Sequence, residues 1–100
     1  METTKPDTET SLRPERIEQG TVTRTFPQKG YMWIGGDDRI DYFGHLSQVQ
    51  NTERMSAVVL TDPVTGMKET FHAARIGQRC RFIPDEGDRG PLARLIVLEP

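Results

Sequence analysis

Lys29-Gly30-Tyr31-Met32-Trp33-Ile34 is the stretch that decides the fold, because its bulky side chains alternate between aromatic and aliphatic. Successive side chains of a β-strand point to opposite faces of the sheet. Tyr31 and Trp33 therefore share one face of the predicted strand, and Met32 and Ile34 share the other. We expect the aliphatic pair to enter a core and the aromatic pair to lie on the outer surface. Alternation alone also allows the aromatic pair to be the interior one.

A second aromatic segment, Tyr42-Phe43-Gly44-His45-Leu46, follows a short glycine-rich turn. Phe43 and His45 share one face of this strand. If the two strands pair as an antiparallel hairpin, these side chains join Tyr31 and Trp33 in a single cluster on the outer surface. Flat rings lying side by side are suited to bases that have left a duplex stack. The two segments therefore predict a surface for unpaired bases.

From Gly20 onward the chain consists of short β-like segments separated by turn residues, with no helical periodicity of useful length. The predicted strands are 20–26, 31–34, 40–46, 55–60, 67–71, 78–83 and 92–98, and 84–91 is predicted as a loop. Strands this short and this closely spaced indicate an all-β barrel or sandwich. The pair 55–60 and 67–71 is interpreted as an extra β-hairpin, with an irregular loop as the alternative.

Several blocks of the sequence resemble the cold-shock domain family in order and spacing. They are Gly20-Thr-Val, Lys29-Gly30-Tyr31-x-Trp33-Ile34, Asp37-Asp38, Phe43-x-His45-x-Ser47, Gly77-Gln78, Phe82 and Gly90-Pro91-x-Ala93. The blocks span roughly 20–50 and 77–98. The resemblance implies a small five-stranded antiparallel OB-type barrel that binds single-stranded RNA or DNA without catalysis or a cofactor. It also implies that Tyr31, Trp33, Phe43 and His45 occupy the aromatic positions of the two binding motifs.

The chain departs from the family pattern in three respects. Arg24 and Thr25 stand where the family has aromatic residues on strand one, and Leu46 and Met32 replace residues of the second and first motifs. An insertion at about 51–71 separates strands three and four. Because each lost platform removes roughly 1–3 kcal/mol of stacking, we expect weaker or more selective binding with a smaller footprint.

Three basic residues are candidates to contact phosphates. Lys29 lies in the turn before Tyr31, and Arg89 lies in the predicted loop 84–91. Arg24 can also stack its guanidinium on a base. A β-bulge in strand one would change the face on which Arg24 lies.

Charge and composition divide the chain into a tail and a domain. The formal net charge is −2, and the first 19 residues, with five acids and three bases, carry all of it. We expect residues 1–16 to be a disordered tail and 17–100 to be the domain, with a short helix over 13–19 as the alternative. The net charge of zero beyond residue 19 argues against strong, indiscriminate duplex binding.

No other motif indicates chemistry. Cys80, the single cysteine, is predicted to be a buried core residue, and His45 and His72 lack the spacing of zinc ligands. Gly35-Gly36-Asp37-Asp38 is interpreted as a turn and not as a metal site. With no long apolar run or signal-like start, we expect a cytoplasmic monomer that does not associate with membranes. The competing hypothesis is an OB-type protein-interaction module whose inserted hairpin docks a protein partner.

Overall fold

Seven β-strands make up most of residues 16–100, the part of the chain that the computed structural model describes. They are β1 (Glu18–Phe26), β2 (Tyr31–Gly36), β3 (Asp41–His45), β4 (Ser56–Thr61), β5 (Lys68–Ala73), β6 (Arg79–Gly87) and β7 (Gly90–Leu98). Two short 3₁₀ turns, Leu46–Gln48 and Thr52–Arg54, link β3 to β4. The predicted tail lies outside the described residues except for Arg16. Because β1 already includes Glu18 and Gln19, the alternative helix is wrong for these residues.

Five of the strands form a closed barrel in the order β1-β2-β3-β7-β6. The prediction of a five-stranded OB-type barrel is confirmed, but the prediction that every pair is antiparallel is wrong. β3 and β7 run parallel, whereas the other four neighbouring pairs are antiparallel. The reason is topological: strand direction cannot alternate all the way around a closed ring with an odd number of strands. One seam must therefore be parallel.

The parallel seam depends on side chains as well as on backbone pairing. Phe43 is paired with Leu92, and farther along Val49 forms a bridge with Ile96. Beyond that point the Asn51 side chain makes the hydrogen bonds that a neighbouring strand would make. Its Nδ2 donates to the Leu98 carbonyl at 2.8 Å, and its Oδ1 accepts the Leu98 N–H at 2.9 Å. The segment after β3 thus covers the edge of β7 and completes the closure.

The barrel interior is filled by the aliphatic face of β2 and its counterparts on the other strands. Met32 and Ile34 are fully buried, as predicted, and Tyr42 packs on Phe82 with ring centroids 4.8 Å apart. Cys80 is also buried, and the burial raises the pKa of its thiol to about 12. The buried residues of the barrel are Val22, Met32, Ile34, Tyr42, Val49, Ala74, Cys80, Phe82, Ala93, Ile96 and Leu98.

The predicted loop 84–91 is wrong, because most of it belongs to a tight hairpin between β6 and β7. Pro84 is paired with Ala93, and only Asp88 and Arg89 lie between the strands. β1 pairs with β6 no farther than Phe82, so at Pro84 the described sheet continues only on the β7 side. A proline, which lacks an N–H to donate, is tolerated at such an edge.

β4 and β5 form a separate two-stranded sheet, and the predicted hairpin is therefore present in the structure. The pairing runs from Ser56 opposite Ala73 to Thr61 opposite Lys68. Asp62 closes the turn by accepting the Val64 N–H at 2.8 Å on its side chain. That this hairpin is an insertion relative to the family remains a prediction.

Gln78 is a buried polar side chain that ties three segments together. Its side-chain nitrogen donates to the Glu99 carbonyl at 2.8 Å, and its Oε1 accepts the Arg75 N–H at 3.0 Å. Its backbone carbonyl accepts the Val22 N–H at 2.9 Å. The side chain therefore satisfies backbone groups in two partly buried hydrogen bonds.

Replacing Gln78 with leucine should lower the free energy of unfolding by about 1–3 kcal/mol, because two partly buried backbone groups lose their hydrogen-bond partner. Urea denaturation measures the change. Gln28→Leu, the same substitution at an exposed turn position, is the matched control and should change stability little. Equal stability of the two variants would contradict this role for Gln78.

Candidate nucleic-acid interface

Three rings on the outer face of β2 and β3 form a continuous surface, called here the aromatic strip: Tyr31, Phe43 and Trp33. The centroids of Tyr31 and Phe43 are 5.0 Å apart, and those of Phe43 and Trp33 are 5.6 Å apart. All three side chains are half-buried, with the fully buried Met32 and Ile34 on the opposite face of β2. The burial of the aliphatic residues thus holds the rings on the outside of the barrel.

His45 adjoins the strip, since it is paired with Tyr31 across the β2–β3 ladder. Its Nδ1 accepts the Ser47 N–H at 3.1 Å and lies 2.8 Å from the Ser47 hydroxyl. In the neutral ring the proton therefore resides on Nε2, which is left as a hydrogen-bond donor. The contacts with Ser47 fix the imidazole at the edge of the strip.

A groove of about 590 Å³ runs between the strip and the β6–β7 turn. Arg89 lies in that turn and is exposed, and the Leu92 side of the groove is continuous with Phe43 through the parallel seam. The residues lining the groove are Tyr31, Trp33, Phe43, Gly87, Asp88, Arg89, Gly90, Pro91 and Leu92. The structure therefore places Arg89 beside the three predicted rings.

A β-bulge in β1 decides where Arg24 lies. The pairing shifts from Val22 opposite Ile34 to Arg24 opposite Trp33, which leaves Thr23 as the extra residue. Thr23 donates its hydroxyl to the Trp33 carbonyl at 3.2 Å. Because directly paired residues share a face, the bulge puts Arg24 on the outer surface with Trp33.

Phe26 is a ring of this surface that sequence reasoning missed. It is opposite Tyr31 in the β1–β2 ladder, and the two centroids are 4.9 Å apart. Strict alternation from the buried Val22 assigns Phe26 to the core face, so only allowance for the bulge could have identified it. Lys29 is exposed in the β1–β2 turn at this same end of the strip.

Comparison with solved structures establishes the fold. The chain is similar to drosophila Unr CSD456, with 18% sequence identity and a TM-score of 0.60. The match covers 95% of this chain and 32% of that one. The chain has the cold-shock domain fold. No family model and no curated protein matches the sequence.

Both aspartates of the Asp37-Asp38 turn make side-chain hydrogen bonds to residues of the barrel. Arg79 donates to both carboxylate oxygens of Asp37, at 2.9 and 2.8 Å. The same guanidinium lowers the pKa of the Asp37 carboxyl below its usual value. Asp38 accepts the Tyr42 hydroxyl at 2.6 Å, and burial, with this bond, raises the pKa of Tyr42 to about 12.

Residues 16–100 contain neither a cluster of metal ligands nor a membrane-spanning helix. Within this range no group of three or more His, Cys, Asp and Glu side chains is placed to hold a metal ion. No helix in the described part of the chain is long and apolar enough to cross a membrane.

The Asp37–Arg79 ion pair should make stability depend on acid pH. The pKa of Asp37 is lower in the folded than in the unfolded chain, so the pair stabilises the fold above the unfolded value of 3.8 and ceases to do so as the pH falls through the folded value. Both side chains are substantially exposed, so the effect should be small.

Urea denaturation from pH 7 to strongly acidic pH measures this dependence. Asp37→Asn should lose less stability on acidification than the unaltered chain, whereas Asp88→Asn, in the exposed β6–β7 turn, should behave like the unaltered chain. Parallel pH profiles for all three proteins would show that the ion pair contributes nothing.

Proposed function

We propose that this chain binds single-stranded nucleic acid, RNA or DNA, by stacking unpaired bases on the aromatic strip. The observation that carries the proposal is the outward placement of three rings, with the Phe43 centroid 5.0 Å from that of Tyr31 and 5.6 Å from that of Trp33. Half-buried rings are held firmly at one edge and still offer a face to a ligand. Every base has a π-face, so such a surface accepts many sequences.

Positive charge lies on two sides of the proposed surface, along β1 and its turn and across the groove. Arg24 and Lys29 are exposed near β1 and its turn, and Arg89 is exposed at the groove. These side chains are suited to phosphates that follow the stacked bases. Asp41, near Arg24 and Trp33, and Asp88, in the groove, offset part of this charge. The balance favours moderate affinity in which stacking outweighs electrostatics.

Binding of this kind needs no catalytic group. By holding the unpaired form, the protein lowers the population of paired bases and so melts weak RNA structure passively, as an RNA chaperone or regulator does. His45, with Nε2 as a donor beside Tyr31, contributes a hydrogen bond to a base edge or phosphate. We propose a cytoplasmic monomer as the binding unit.

A protein-interaction module is the second candidate, and one observation favours it. The β4–β5 hairpin forms its own sheet and exposes Val59 and Met67, at 57% and 69% of their surface. The β4 segment Ser-Ala-Val-Val-Leu-Thr also contains no charge. An uncharged strand in a two-stranded sheet can accept a strand from a partner protein.

Trp33 is the single tryptophan of the chain, so its fluorescence reports on the strip. A dT hexamer and a mixed-sequence RNA should each quench it saturably, and the affinity should fall as salt rises. Phe43→Ala with His45→Ala should weaken binding at least about fivefold, since one stacked base contributes roughly 1–3 kcal/mol.

The matched control is Phe71→Ala with His72→Ala, which removes the same residue types from the β4–β5 hairpin. It should leave the quenching unchanged. Arg89→Gln should reduce the slope of log affinity against log salt by about 0.7. Absence of quenching at high micromolar oligonucleotide, in a sample shown to be folded, would reject the proposal.

The two candidates are separated by Val59→Asp with Met67→Asp. If the hairpin docks a protein, a partner captured by the unaltered chain should be lost by this variant, while oligonucleotide quenching stays the same. Capture that is equal for both proteins would reject the hairpin as the docking site.

A further inference from the structure

Phe26 lies on the outer surface of the barrel and takes no part in the core. Its neighbour Thr25 is opposite the buried Met32, whereas Phe26 is opposite Tyr31 and is half-buried. Its ring is tilted by 37° from that of Tyr31, and the Tyr31 and Phe43 rings are tilted by 38°. Phe26 thus continues the aromatic strip onto β1 with almost the same spacing and tilt.

The bulge that exposes Phe26 is held by hydrogen bonds on both of its sides. Toward β2, Thr23 donates its hydroxyl to the Trp33 carbonyl at 3.2 Å. Toward β6, the Val22 N–H donates to the Gln78 carbonyl at 2.9 Å, and the Val22 carbonyl accepts the Gly77 N–H at 2.8 Å. These bonds fix the strand in the register that directs both Arg24 and Phe26 outward.

Arg24 and Phe26 together offer the two groups that one nucleotide needs. The Arg24 guanidinium carbon lies 5.7 Å from the centroid of the Phe26 ring. A cation that lies over a half-buried ring can move to the phosphate of a nucleotide whose base stacks on that ring. Lys29, in the turn that follows Phe26, adds a second positive charge nearby.

We propose that Phe26 and Arg24 form an additional nucleobase subsite on β1, adjoining the three-ring strip. The inference rests on the function proposed above and adds to it a binding site for one more nucleotide. The base stacks on Phe26, and Arg24 contacts the phosphate.

The test is a length series of dT oligonucleotides, from two to eight nucleotides, titrated into the full chain with Trp33 fluorescence as the signal. Phe26→Leu keeps an apolar side chain but removes the ring, and Phe26→Tyr keeps the ring. For the shortest oligonucleotides that quench Trp33, all three proteins should bind equally. Longer oligonucleotides should bind about 5- to 150-fold more tightly to the unaltered chain and to Phe26→Tyr. Phe26→Leu should show no such increase.

The length at which affinity levels off should accordingly fall by about one nucleotide in Phe26→Leu. Urea denaturation verifies that each variant is folded. If Phe26→Leu follows the unaltered chain at every length, there is no subsite. If it is weakened equally at every length, Phe26 only orients Tyr31, and the subsite is again rejected. If no oligonucleotide of any length quenches Trp33 in the unaltered chain, the proposed function itself is rejected. That result is distinct from the two outcomes that reject only the subsite.

Discussion

The burial of Met32 and Ile34 is the constraint on which the rest of the structure depends. Neither side chain has any exposed surface, and both lie on the same face of β2. Since side chains alternate along a strand, this burial leaves Tyr31 and Trp33 no position except the outside. On β3 the counterpart is Gly44, where a Cβ atom would lie 3.1 Å from the Ile96 side chain. Close packing beneath the sheet therefore positions the rings above it.

Closure of the barrel illustrates what a list of strands leaves out. The sequence locates most strands from alternation and turn residues, but it suggested an antiparallel barrel of five strands, which an odd closed ring forbids. β7 needs a parallel partner, and nothing in its own sequence indicates which segment provides it. At the Leu98 end the partner is the Asn51 side chain, which makes two hydrogen bonds. The prediction that a loop begins at Pro84 is wrong for a related reason. A proline ends a strand in isolation, whereas here β6 continues past it along β7.

The candidate site divides in the same way between local and nonlocal causes. Alternation within their own strands puts Tyr31 and Trp33 on a shared face, to which pairing of the two strands adds Phe43. The spacing of the cold-shock-like motifs, and not alternation, indicates that this face is the outer one. The face of Arg24 and the very existence of Phe26 as a surface ring depend on the bulge. That bulge is fixed by bonds from Thr23 to Trp33 and from Val22 to Gly77 and Gln78, distant in sequence. An alternating sequence pattern cannot indicate a bulge, because the hydrogen bonds that hold the bulge come from other parts of the chain.

The charge distribution bears on which form of nucleic acid this surface prefers. Duplex binding depends mainly on neutralising phosphates, and the sequence beyond residue 19 has no net positive charge with which to do so. Of the cations beside the rings, Arg24 has Asp41 close to it and Arg89 has Asp88 close to it. Stacking, by contrast, requires bases that are already unpaired, because a base in a duplex has both faces covered. The proposed binding surface, with three stacking rings and weak net charge, would therefore favour single strands, since the interaction that would contribute most is one that a duplex cannot make.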